Sequence, residues 1–199
     1  MRFKSILLAI AAGLVLADAS IVTLALPELL TDLHTTIEGV AAVIGVYTLV
    51  LAITLLPAWY LGQRVGYRGI GIAGFAIFAA ASVVCARSDA LTPLLIGRGV
   101  QAIGGAAGLV AAFALLHTGD KPQRQLWLVA AVLSTALGPA LGGLLTQLFD
   151  WRAIFEAQIP LALIGVVACI LEEPVPAEPQ AAELVRPKFS PAAALGFVS

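Results

Sequence analysis

Six long apolar runs, at about residues 5–27, 39–61, 70–87, 91–116, 126–148 and 153–171, leave this chain few folds to choose from. A helix rising about 1.5 Å per residue needs about 20 residues to cross a hydrocarbon layer ~30 Å thick, and the runs are near that length. Inside such a layer the backbone has no water to bond with, so each run is predicted to be an α-helix. The expectation is an all-α membrane protein: a six-transmembrane-helix bundle embedded in a lipid bilayer. Composition agrees, since 60% of residues are hydrophobic and only 12% charged.

The connections between runs hold the polar residues, and their lysines and arginines orient the chain. Arg2, Lys4, Arg64, Arg68, Lys121, Arg124, Arg186 and Lys188 fall on one side, Arg87 and Arg152 on the other, and Arg98 within a span. The richer side is the cytoplasmic one, which puts both ends of the bundle in the cytoplasm of a multi-pass protein of the cell membrane. The start, MRFK followed by an apolar stretch and Ala17-Asp18-Ala19, has the outline of a secretory signal. Hydrophobicity resumes through Leu26, which favours a retained first helix. Residues 172–189 are rich in Glu, Pro and Ala and read as a cytoplasmic linker; residues 190–199 read as the start of a truncated further helix, as in a fragment, a truncated gene or half of a larger transporter.

Several classes of function find no support. The net charge is −1, without a basic or acidic tract, so nucleic acid is not an expected partner. Cys85 and Cys169 lie in separate apolar runs, and His34 and His117 lack companions at ligand spacing, so no metal site is expected. No nucleophile elbow or phosphate loop occurs, so neither an enzyme nor a cofactor is expected.

What stands out is charge within the apolar runs. Arg98 at mid-membrane depth costs at least ~2.5–3.5 kcal/mol on insertion scales and cannot escape by losing its proton. Arg98, Gln101 and Gly105 recur at helical spacing, giving one polar stripe turned away from lipid, while Gly104 and Gly108 form a small-xxx-small pair for close packing. Asp18 is the second such charge. Pro27 lies nine residues after it, and Arg98 lies seven after Leu91; if both boundaries lie at one membrane face, the depths agree to roughly 3–4 Å. An ion pair is therefore expected, either as a static lock on helix register or as a functional centre. Burial disfavours the charged carboxyl and a guanidinium favours it, so the hold of Asp18 on a proton follows its hydration and its distance from Arg98. A third signal is Ser134-x-x-x-Gly138-Pro139-x-x-Gly142-Gly143, small residues at every fourth position with a proline that favours a kink. Ordinary tight helix packing explains it as readily as function does.

Together these residues resemble the N-terminal half of a major facilitator superfamily transporter, and most closely the fourteen-helix drug:proton antiporter branch. Asp18-Ala-Ser-Ile-Val-Thr-Leu-Ala-Leu-Pro27 is similar to that branch's helix-one motif LDxTIVNVALP, with Ser20 for Thr and Thr23 for Asn. Arg98-Gly-Val-Gln101-Ala-Ile-Gly-Gly-Ala106 resembles its helix-four motif RxxQGxGGA, with Ala102 for a glycine. The helix-five antiporter motif GxxxGPxxGG is matched with Ser134 in place of the first glycine. Asp150-Trp-Arg-Ala-Ile-Phe-Glu-Ala-Gln-Ile-Pro160 resembles the stretch GWRWIFxINxPI between helices five and six; Glu156 within it reads as an interfacial side chain. Trp59 to Arg68 follows the loop pattern GxLaDRxGRR less well: Arg64, Gly66 and Arg68 remain, but Trp59 replaces a glycine and Gln63 the acid that in the family joins a cytoplasmic gating latch.

The resemblance implies that helices one, two, four and five line a central cavity or the seam to a second half, with three and six outside. It implies proton-coupled export of drugs or other small amphiphilic compounds, driven by a proton gradient, with Asp18 and Arg98 in proton coupling. Gln101, Gly105 and Thr23 would face the substrate, and Gln63, Arg64, Gly66 and Arg68 would serve gating. The alternatives are a non-transporting subunit that pairs with a second half or forms a homodimer, and a facilitator-type uptake carrier.

Overall fold

The computed structural model describes residues 3–117 and 121–172, all of it helical apart from short connections. The elements are α1 (Phe3–Thr23), α2 (Leu26–Asp32), α3 (Ile37–Val65), α4 (Tyr67–Ala86), α5 (Leu91–His117), α6 (Lys121–Leu148) and α7 (Arg152–Leu171). All but α2 contain a stretch long and apolar enough to cross a membrane, making six candidate spans among the described residues. The linker beyond Glu172 and the further helix expected over 190–199 lie outside the described residues.

One boundary differs from the sequence reading. The first apolar run does not form one helix to Pro27: α1 ends at Thr23, and Pro27 sits in the first turn of α2. Proline lacks the N–H that a helix interior needs but fits a first turn, where that N–H has no partner anyway. Leu29 of α2 is wholly buried beside Trp151 and Val40, so the short helix caps one end of the bundle. Thr36 then opens α3, its hydroxyl accepting a hydrogen bond from Gly39 N at 3.2 Å.

Burial is uneven among the spans. The most hydrophobic 18-residue window is 67% buried in α5 and 61% in α1, but 17% in α3 and 11% in α6, so α1 and α5 form the axis and α3 and α6 present open apolar faces. The helices α4 and α5 cross closely: a Cβ on Gly104 would lie 2.6 Å from Gly74 O and from Phe78 N. Lys4 at the start of α1 pairs with Glu172 at the end of α7 at 2.7 Å, so the bundle begins and ends on the same side. On that side α3 and α4 are joined through Gly66 alone, at φ 92° and ψ 136°, a conformation that side chains with a Cβ rarely adopt.

Candidate functional site

Five helices converge on a polar cluster in the bundle interior. Asp18 of α1 and Arg98 of α5 are both wholly buried, and Arg98 Nη1 lies 2.6 Å from Asp18 Oδ2. The two intramembrane charges are thus in direct contact. Taking such charges out of water costs several kcal/mol each, and attraction offsets this only when the remaining lone pairs and protons find partners.

Neutral side chains supply those partners. Arg98 Nη1 also donates to Gln101 Oε1 at 2.7 Å. Gln101 Nε2 donates to Ser82 Oγ of α4 at 2.8 Å and to Gln158 Oε1 of α7 at 2.7 Å. Gln158 Nε2 in turn donates to Asp18 Oδ1 at 2.5 Å. Each carboxylate oxygen therefore receives one donor, and the four side chains close a ring. The guanidinium is held further by Nε, which donates to Val43 O at 3.3 Å, and by the Tyr47 ring, 4.1 Å from Cζ. Tyr47 of α3 is anchored through its hydroxyl, which donates to Val15 O at 3.1 Å. Arg98 Nη2 is buried without a hydrogen-bond acceptor among the described residues.

The other expected site residues are placed differently. Gln101 and Gly105 do not face an open cavity; they are sealed inside the bundle, Gln101 by its hydrogen-bond partners Arg98, Ser82, Gln158 and Cys85, and Gly105 where α5 passes Val15 and Tyr47. Thr23 is exposed on the last turn of α1, its hydroxyl turned back onto Ala19 O at 3.0 Å. The helix-five residues lie along the contact of α6 with α1. A Cβ on Gly13 would fall against the Ser134 hydroxyl, one on Gly138 would lie 3.3 Å from Ala17 O, and one on Gly142 2.1 Å from Ile21 O. Gly143 meets Leu24, and Pro139 lies within α6 on a half-buried face. This is the close packing that small residues allow.

The connection expected to hold the gating residues is shorter than a loop. Gln63 and Arg64 sit on the last turn of α3, with the Arg64 guanidinium bonded to the Tyr60 hydroxyl, and Arg68 belongs to α4. Arg68 Nη2 donates to Ile170 O at 2.9 Å, closing the end of α7.

A second cluster marks the opposite end. Arg152 reaches Asp32 of α2 at 2.8 Å, and both Asp89 and the Ser88 carbonyl between α4 and α5 at 3.3 Å. The Trp151 indole also donates to Asp32, at 2.9 Å. These two donors, the indole and then the guanidinium, hold the Asp32 carboxyl below the ordinary value of 3.8. Glu28 is pushed upward, by burial and then by the nearby Asp150 and Asp32.

Sequence reasoning missed Gln158, Ser82 and Tyr47 as members of the central cluster. A carboxamide in the apolar run 153–171 was the available signal for Gln158, but Glu156, two positions earlier, drew attention by its charge and proves to be exposed.

The sequence of this chain has relatives. The family model for the Major Facilitator Superfamily matches residues 8–198. The chain belongs to that superfamily. A tetracenomycin C resistance and export protein of Streptomyces glaucescens is 34% identical over 169 residues, covering 81% of this chain and 31% of that protein. The uncharacterized transporter YebQ of Escherichia coli is 31% identical over 197 residues, covering 94% of this chain and 42% of YebQ. A methylenomycin A resistance protein of Bacillus subtilis is 32% identical over 172 residues, covering 82% and 37%. The chain thus spans about a third to two-fifths of the length of these relatives. It is a multi-pass, all-α protein of a transporter family, and two of these three relatives carry names of drug resistance or export.

Proposed function

We propose that this chain supplies the N-terminal six helices of a proton-coupled exporter of drugs or other small amphiphilic compounds. The observation that carries this reading is the wholly buried Asp18–Arg98 pair, a carboxyl and a guanidinium in direct contact inside the bundle. In facilitators of this fold, substrate binds near the bilayer midplane between two six-helix halves that rock against each other. A proton from outside would bind Asp18, loosen its hold on Arg98, and leave to the cytoplasm as drug is exchanged. The end bearing Lys4 and Glu172 would be cytoplasmic, in a cell membrane, and the proton gradient would be the only energy source.

Within this reading Gln101 acts through the buried cluster, and substrate would meet the open faces of α3 and α6 more readily than Gly105 or Thr23. Arg64, on the exposed last turn of α3, is the gating candidate; Gln63 lacks the charge of a latch acid, while Gly66 and Arg68 fix the geometry of that end. The Ser134 to Gly143 stretch would set how tightly α6 holds α1. The deciding experiment is transport by the complete transporter in liposomes under an imposed pH gradient. Asp18→Asn should abolish proton-driven efflux and leave counterflow of substrate; undiminished proton-driven efflux would overturn the assignment.

The sparsely covered α3 and α6 support a second reading, a membrane subunit that must pair with another half or with its own copy. Cysteines placed on those two faces would cross-link between chains in native membranes if so, and would stay unlinked otherwise.

A further inference from the structure

The ring of Asp18, Arg98, Gln101 and Gln158 obeys a rule that its chemistry imposes. An ionised carboxylate only accepts hydrogen bonds and a guanidinium only donates, while each carboxamide offers one accepting oxygen and one donating nitrogen. Between an acceptor and a donor, two amides can be threaded in one direction only. Gln158 must give its nitrogen to Asp18 and its oxygen to Gln101; Gln101 must give its nitrogen to Gln158 and its oxygen to Arg98. These are the contacts present, at 2.5, 2.7 and 2.7 Å, and Arg98 closes the circuit on the other carboxylate oxygen at 2.6 Å.

A proton on Asp18 breaks the rule when it lies in either of the two ring contacts. On Oδ2 it meets the Arg98 nitrogen, donor against donor. On Oδ1 it meets the Gln158 nitrogen; turning that amide over brings its nitrogen against Gln101, and turning Gln101 over brings nitrogen against Arg98. The conflict moves around the ring without being removed. All four side chains are at most 1% exposed, so no solvent is at hand to take up an orphaned donor.

We propose that Gln158 and Gln101 are positioning residues that make a proton on Asp18 and a closed ring mutually exclusive. Proton loading is thereby transmitted from α1 to α7 as well as to α5. This deepens the proton-carrier reading above and rests on it. The charged and titratable groups facing Asp18 among the described residues are Arg98 on α5, Tyr47 on α3 and Cys85 on α4; α7 brings the neutral Gln158 and α6 its glycines.

The test follows the carboxylic C=O stretch of Asp18 by infrared difference spectroscopy of the full chain in lipid nanodiscs over a pH series. The band is assigned by its absence in Asp18→Asn. In Gln158→Met, which keeps the side-chain length and loses the amide, the band should appear at a pH higher by about one unit or more, because a charge-assisted hydrogen bond to the carboxylate is gone. Gln101→Met should move it in the same direction, and the double variant little further than Gln158→Met, since a circuit is opened only once. Gln158→Asn, whose shorter arm cannot span both neighbours, should behave like Gln158→Met and serves if that variant folds poorly. An unmoved band in the Gln158 variants, or shifts that simply add, would overturn the ring and leave the proton carrier standing. A band absent from the parent at every pH would instead sink the proton carrier, and the ring with it.

Discussion

Removing either partner of the Asp18–Arg98 pair should cost far more than removing both. Both side chains are wholly buried and 2.6 Å apart. Asp18→Asn strands the guanidinium. Both carboxylate oxygens now receive a donor, from Arg98 and from Gln158, and asparagine offers only one acceptor to the two. Arg98→Met strands the carboxylate. Breaking a buried pair in this way typically costs about 3–5 kcal/mol because it leaves an uncompensated buried charge, and Asp18→Asn combined with Arg98→Met leaves none. The double variant is therefore expected within about 2 kcal/mol of the parent, and the coupling between the sites to exceed about 3 kcal/mol. The singles also differ: the cost of Arg98→Met should shrink toward acidic pH, because a carboxyl can neutralise itself with a proton, while that of Asp18→Asn should not, because a guanidinium cannot. Unfolding in mixed micelles, followed by tryptophan fluorescence, measures all four corners of the cycle. Additive losses in the double variant would refute the argument.

Two further outcomes can be checked on the same preparation. Gly66→Ala forces a Cβ into φ 92°, ψ 136° and should lower stability by roughly 1–3 kcal/mol, although nothing lies within 4 Å of the new atom; an unchanged unfolding curve would contradict the strain. Asp32 has its carboxyl held below 3.8, first by Trp151 and then by Arg152. Its contribution should be complete above that pH and fade as the pH falls through its own lower value. Thermal unfolding of Asp32→Asn and of the parent should accordingly differ near neutrality and converge in acid; a gap that persists in acid would refute this.

The spans were legible because a bilayer punishes polar residues over a fixed length, and the Asp18–Arg98 pair because two buried charges need each other, although the depth of Asp18 was counted to Pro27, past the break at Thr23. Where α1 stops was not legible, because Thr23 to Leu26 is as apolar as what precedes it and hydropathy does not register a broken helix. Gln158 and Ser82 escaped for another reason. Each is unremarkable beside its own neighbours in sequence, and their role arises only when α4 and α7 bring them to Gln101. The stripe of Arg98, Gln101 and Gly105 was seen, but spacing on one helix cannot say whether a face meets a cavity or another helix.

The joint at Gly66 has a mechanical consequence. A single residue between two membrane-long rods leaves no slack, so a tilt of α3 at that end must drag the start of α4 with it, and through Arg68 the tail of α7. Any push on this corner of the protein would be felt as the swing of a whole panel, not the flexing of one stave.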